Sequence, residues 1–337
     1  MSAQTPDGSV LLADVGGTNV RFALADMASS SPLRTDSIRR YRVAECATFA
    51  DAARGYLREI GARPTRGVFA AAGPVTGDEV RMTNHPWLLS RPRLREELHL
   101  DALLLVNDFA AMSHCLPLLA AADMHAIGSL PPASIDLRRR QTFAVIGPGT
   151  GLGVGALLVD GGRFVGLQTE GGHVGFAPGD AVEAAVLRQL MERFGRVSAE
   201  RVLCGSGLVN LHRALHPQSV EDTPERISAA ADTDPDCRET VERFCAMLGS
   251  IAGDFALAFG AWDGVYLAGG LTPKLLDRLG NGGFRARFDA KGRYASVLAR
   301  IPTIAILHAD AGLLGAAALA LLDAGRSLPS GVVVDSA

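Results

Sequence analysis

Lysine is almost absent from this chain of 337 residues: only Lys274 and Lys291 occur, and the remaining basic charge is arginine. A nucleotide loop of the GxxxxGK[ST] type needs a lysine directly after its glycines, and neither lysine is so placed. Long apolar runs are also missing. The longest, 311–322, has 12 residues, whereas a membrane-spanning helix needs about 20, so it reads as a core helix and no membrane partner is expected. The five cysteines (Cys46, Cys115, Cys204, Cys237 and Cys245) are odd in number and contain no CxxC pair. They fit reduced thiols in a cytoplasm better than a disulfide framework. Met1 to Ser9 lack the basic-then-apolar pattern of a secretory signal. The formal net charge is −3 with no block of one sign, so a nucleic-acid footprint is absent.

What is present suits a compact enzyme. Hydrophobic residues make up 48% of the chain, enough for a sizeable core, and the length suits two domains or one large one. Val10 to Ala13 read as a strand that ends in Asp14-Val15-Gly16-Gly17-Thr18-Asn19. Val20, Phe22 and Leu24 then alternate with Arg21, Ala23 and Ala25, a period of two. The glycine turn therefore joins two strands, as in a hairpin, and the dinucleotide pattern of strand, GxGxxG and helix is excluded. The arrangement returns at 142–159, where an apolar strand meets Gly147-Pro148-Gly149-Thr150-Gly151-Leu152-Gly153 and a further strand. Two such units about 130 residues apart suggest duplication, one opening each domain. Further strands are expected at 67–72, 103–106, 264–268 and 303–307. Helices are expected at 50–60, 91–98, 109–119, 181–194 and 238–260, with Thr272 and Asp310 as caps of later ones. Alternating strands and helices indicate α/β domains.

One glycine turn alone reads as a tight hairpin. Two, one beside Asp14 and one with alternating glycines from Gly147 to Gly155, point to phosphate, because glycine lets backbone N–H groups approach closely. Asp14 could then hold Mg²⁺ near the phosphates, directly or through water. Asn107-Asp108 ends a strand. Asp108 there could take a proton from an attacking hydroxyl or cap the next helix, and taken alone the residues favour the cap. Glu170-Gly171-Gly172-His173 could grip vicinal hydroxyls or be a surface turn. Glu200 reads as a helix-surface acid, and Asn84 lies in a loop with Trp87 as its anchor.

Taken together, the segments LLADVGGTNVRFALAD, MTNHPW, LVNDFAA, VIGPGTGLGVGAL, TEGGHVGFAP, VSAERVLCGSGLVNL, VYLAGGL and ADAGLLGAAAL resemble the bacterial glucokinase family of the ATP-dependent hexokinase superfamily. The resemblance runs from about Val10 to Leu322. It implies an actin-like, ribonuclease-H-like duplicated α/β fold, with two α/β domains around a central cleft. We expect a small domain over 1–117, to which 309–337 returns, and a large domain over 118–308. The resemblance places phosphate contacts on Asp14, Gly16, Gly17, Thr18, Gly149, Thr150 and Gly151, and adenosine contacts on Gly269 and Gly270. It makes Asp108 the catalytic base, overturning the cap reading, and puts sugar contacts on Asn84, Asn107, Asp108, Glu170, His173 and Glu200. It further implies ATP and Mg²⁺, glucose as acceptor, a cytoplasmic role in glycolysis and a homodimer. Relatives in the broader group carry a cysteine-rich zinc motif after the GH segment. Val174-Gly175-Phe176-Ala177-Pro178 stands there instead, so no zinc is expected. A first strand at Val10 leaves no room for a DNA-binding helix-turn-helix.

Overall fold

The computed structural model describes residues 8–82, 85–221, 223–281 and 283–328. Strand β1 (Val10–Val15) is apolar on both faces and buried except at Asp14, which places it inside a sheet. It pairs antiparallel with β2 (Asn19–Ala25), and β2 carries β3 (Leu33–Arg42) as the outer edge. On its other side β1 runs parallel to β4 (Arg66–Ala71). Helix α1 (Phe49–Ile60), capped by the Thr48 side chain and closed by Gly61 in the left-handed region, lies between β3 and β4 in the chain. A small sheet of β5 (Val75–Thr76), β6 (Glu79–Arg81) and β7 (Leu88–Ser90) follows. Helix α2 (Arg91–Glu97) then leads to β8 (Ala102–Asn107), which is parallel to β4. The first sheet is thus ordered β3-β2-β1-β4-β8.

The second sheet repeats this plan. It comprises β9 (Met124–Ala126), β10 (Gln141–Pro148), β11 (Leu152–Asp160), β12 (Arg163–Gln168), β13 (Gly264–Leu267) and β14 (Thr303–Ile306), in the order β12-β11-β10-β13-β14-β9. Five consecutive strands match those of the first sheet in position and direction, and β9 is the addition. Both sheets begin with a hairpin whose turn is glycine-rich, so both turns arrive at corresponding places.

Helix α3 (Asp108–Ser113) leaves β8 directly. The expected helix at 109–119 stops at Ser113 and resumes as a 3₁₀ turn at Leu116–Leu118, where Pro117 supplies no N–H. Helices α4 (Ala181–Phe194), α5 (Gly205–Leu215), α6 (Pro224–Ala230) and the long α7 (Pro235–Phe259) form the bulk of the second half. The short α8 (Leu276–Gly280), α9 (Gly283–Asp289) and α10 (Ala295–Leu298) follow β13, and α11 (Ala311–Asp323) ends the described fold. Thr272 and Asp310 stand at the expected N-cap positions, but neither side chain makes the cap bond. The Thr272 hydroxyl turns back to donate to Ala268 O, and Asp310 accepts no helix N–H but lies toward Arg21.

α11 is apolar all round because it is enclosed. It packs against β1, β2 and β4 and crosses α3 closely at Gly315. One core holds Leu12 and Val68 of the first sheet, Phe143 and Tyr266 of the second, and Leu313 and Ala317 of α11. The two sheets therefore meet through the α3–α11 crossing. No helix among the described residues is long and apolar enough to cross a membrane.

Candidate active site

The two glycine turns face one cleft of about 240 Å³, and most of the expected site residues line it. Gly16 and Gly17 come from the first hairpin, and Gly149, Thr150 and Gly151 from the second. Asn107, Asp108, Glu170, His173, Glu200 and Gly269 line the same space. Gly269 also borders a neighbouring cavity of about 190 Å³, shared with Gly270, Arg21 and His308. Thr18 is exposed outside the cleft and gives its carbonyl to Val43 N–H. Asn84 lies outside the described residues. A larger groove of about 990 Å³, beside α1 and the 61–65 loop, contains none of these groups.

Asp108 sits at the cleft floor as the first residue of α3. The cap is its neighbour: Asn107 Oδ1 accepts from Phe109 N–H and Ala110 N–H, both at 3.0 Å. Asn107 Nδ2 donates to Gly73 O at 3.3 Å and to Asp108 Oδ1 at 3.0 Å. All four hydrogen-bonding positions of Asn107 are thus used by protein. Asp108 Oδ1 also accepts from Phe109 N–H at 2.9 Å, so one oxygen is anchored. No partner for Oδ2 exists among the described residues. Burial pushes the Asp108 carboxyl up to about 7. The nearby Asp14 and Glu170 carboxylates add to the rise, while the Phe109 N–H opposes it. A carboxyl poised near neutrality suits a general base.

Several of the alternating glycines are required by packing. A Cβ on Gly153 would lie 1.8 Å from the Phe109 ring, and one on Gly147 would lie 2.5 Å from it. A Cβ on Gly155 would lie 2.8 Å from Phe109 O. These three glycines form a trough that seats the helix carrying Asp108. Gly151 makes room for Glu200, whose Oε2 would be 2.4 Å from an added Cβ and accepts from Leu152 N–H at 2.8 Å. Glu200 is therefore a cleft residue tied to the second turn, not a free surface acid. Only Gly149 among the five opens onto space without close side-chain contact.

On the second-sheet side, Glu170 and His173 lie on one short turn, with His173 Nε2 4.0 Å from Glu170 Oε2. Partial burial raises the Glu170 carboxyl, His173 opposes and Glu200 adds. Three groups able to accept or donate to sugar hydroxyls thus border Asp108.

Asp14 is paired across the hairpin with Arg21, Nη1 to Oδ2 3.4 Å, and Arg21 Nε lies 3.9 Å from Asp310 Oδ1. Burial raises the Asp14 carboxyl, Arg21 lowers it and Asp310 raises it. Its side chain remains 19% exposed. Mg²⁺ is held by one or two carboxylates with water and phosphate filling the rest, and a single part-buried carboxylate beside a glycine turn fits that demand. Among the described residues no three His, Cys, Asp or Glu side chains converge as a metal site. Arg21 and Phe109 were not foreseen. The hairpin register, which sets residue 14 opposite 21, was a signal for the first, and nothing in the sequence marked the second.

A doubled strand order around a shared cleft is the actin-like arrangement, and solved structures of this shape include sugar kinases and a ROK family transcriptional regulator. The crystal structure of glucokinase from an Antarctic psychrotroph superposes with a TM-score of 0.79 at 31% identity, covering 93% of this chain and 98% of its own. The structure of a ROK family glucokinase from Streptomyces griseus in complex with glucose and AMPPNP shares the fold, with a TM-score of 0.63 at 19% identity, over 93% of this chain and 99% of that one. The chain belongs to the glucokinase family. The family model described as Glucokinase matches residues 11–322. Glucokinase of Stenotrophomonas maltophilia (strain R551-3) is 52% identical over 325 residues, 95% of this chain and 97% of its own.

Proposed function

We propose that this protein transfers the γ-phosphoryl group of ATP to the 6-hydroxyl of glucose, giving glucose 6-phosphate and ADP. The observation that carries the chemistry is the Asp108 carboxyl, pushed up to about 7 at the floor of a cleft that both glycine turns face. The ATP phosphates lie against Gly16, Gly17, Gly149, Thr150 and Gly151, with Thr18 at the turn's rim. The nucleoside extends past Gly269 and Gly270. Asp14 would hold Mg²⁺ through water, and the ion would offset phosphate charge. Glucose lies between Asp108, Glu170, His173 and Glu200. Asn107 reaches it only by giving up its longest bond, the one to Gly73 O. Asn84 is retained as a sugar contact on the family pattern alone.

Asp108 Oδ2 orients the 6-hydroxyl and takes its proton as that oxygen attacks the γ-phosphorus in line. The bond to the β-γ bridging oxygen breaks and ADP leaves. Water is a competing nucleophile. Closure of two lobes, 1–117 with 309–337 against 118–308, would assemble the site when sugar is bound. The α3–α11 crossing is the natural hinge, since it joins both sheets. The same reading makes the protein a cytoplasmic homodimer. Product identification tests the proposal: ³¹P and ¹³C NMR of a glucose and MgATP reaction should show phosphate on carbon 6. Phosphate released as inorganic ion, or placed on another carbon, would refute it.

A further inference from the structure

The stretch that carries Glu170 and His173 continues into a strap. Phe176 N–H donates to Val197 O at 3.1 Å, Ala199 N–H to Val174 O at 2.9 Å, and Gly175 pairs antiparallel with Ser198. The Arg196 guanidinium donates to His173 O at 2.8 Å. Residues 173–176 and 196–199 are therefore one unit, and the antiparallel register that sets Gly175 opposite Ser198 brings His173 and Glu200 to the same end of it. The spacing between Glu170, His173 and Glu200 is set by where this strap lies.

Beyond the ladder the strap is held by a buried ion pair. Gly179 N–H donates to Glu183 Oε2 at 2.6 Å. Arg287 Nη1 meets Glu183 Oε1 at 2.7 Å, and Nη2 meets Oε2 at 3.1 Å. The Glu183 side chain is 2% exposed. A Cβ on Gly179 would fall 1.9 Å from Arg287 Nη2, so backbone and guanidinium are in direct contact. Arg287 projects from α9, which is pressed on the long α7: a Cβ on Gly249 would lie 2.0 Å from Phe284 O. The strap is thus fastened to the closely packed pair of α7 and α9. A buried ion pair is weak evidence for stability, because desolvation offsets attraction. A two-point Arg–carboxylate fork fixes direction as well as distance.

We propose that Glu183 and Arg287 are positioning residues for sugar recognition: their fork holds the 173–180 strap so that Glu170 and His173 stand opposite Glu200. The proposal rests on the reading of those three residues as sugar contacts. The fork holds the 173–180 strap, which carries His173 and follows Glu170 but includes neither glycine turn: the first lies on the other sheet, and the second is held separately by Glu200 at Leu152 N–H.

The test uses the full chain with Glu183→Gln and Arg287→Lys, and Glu170→Gln as the reference for a direct contact. Initial rates are measured against glucose at saturating MgATP and against MgATP at saturating glucose, with thermal midpoints alongside. Both positioning variants should raise the glucose KM at least fivefold, leave the ATP KM within twofold and leave kcat within threefold. A purely structural role would lower the thermal midpoint and the active fraction without moving the glucose KM, and that result in folded variants overturns the proposal. Should Glu183→Gln fail to fold, Arg287→Lys, which keeps the charge but loses the fork, decides by the same thresholds. If Glu170→Gln alone raises the glucose KM, the positioning role is refuted and the sugar reading stands. If Glu170→Gln leaves it unchanged, the sugar reading fails and the proposal falls with it.

Discussion

Replacing Asp108 by Asn should destroy activity and stabilise the protein. The carboxyl moves from 3.8 to about 7 on folding, chiefly through burial. At 1.36 kcal/mol per pH unit, keeping it ionised in the folded state costs about 4 kcal/mol at most, with cleft solvent screening part of that. The sign follows from the raised value. Folding favours the proton, so the wild-type protein loses stability as pH climbs from about 4 to about 7, and the loss is complete above that. An amide carries no charge at any pH and keeps an oxygen for Phe109 N–H. Without ligands, the Asn variant should therefore unfold at a higher temperature than wild type at pH 8, and the gap should close near pH 4. Its kcat should fall by about 10²–10⁴, the usual worth of a general base. Wild-type kcat/KM for glucose should itself decline below pH about 7, as the base takes its proton. Thermal unfolding at both pH values, with steady-state rates on the same samples, checks all of this. A variant less stable than wild type at pH 8, or a folded variant with a near-normal rate, would refute the reasoning.

Further outcomes separate the glycines from one another. Gly153→Ala should drive a methyl into the Phe109 ring, cost about 1–3 kcal/mol of stability and depress kcat, since it displaces the helix bearing Asp108; thermal unfolding and kinetics read both. Gly151→Ala should push Glu200 aside and raise the glucose KM with little change in the thermal midpoint. Asp14→Asn should raise the Mg²⁺ concentration needed for half-maximal nucleotide binding, measured by calorimetry with a non-hydrolysable ATP analogue and no sugar. Small-angle scattering should show a more compact particle with saturating glucose, and an unchanged radius would argue against lobe closure.

The hairpins were legible because a period of two follows each glycine turn, and from them came the duplicated plan. Strand β3 was not, since an edge strand reading Leu-Arg-Thr-Asp-Ser-Ile-Arg-Arg-Tyr-Arg has too much exposed polar surface to alternate cleanly. β12 escaped for a related reason, being an outer strand with little burial. At the site, Asp108 was ambiguous because capping and catalysis both favour an acid at a strand end. The fold gives the cap to Asn107 and leaves Asp108 lining the cleft. Glu200 could not be placed from local pattern, because its partner is the Leu152 N–H, 48 residues away. The packing role of Gly147, Gly153 and Gly155 could not be read from the glycine run for the same reason. Its contact with Phe109 spans from one sheet's exit helix to the other sheet's hairpin, and only the folded crossing brings them together.

The most direct measurement is ADP release from MgATP by the purified protein with glucose, with a panel of other hexoses, and with no sugar. The account predicts rapid release with glucose, much slower release with its epimers, and almost none without sugar. Equal release with and without sugar, or turnover only with a different hexose, would contradict it.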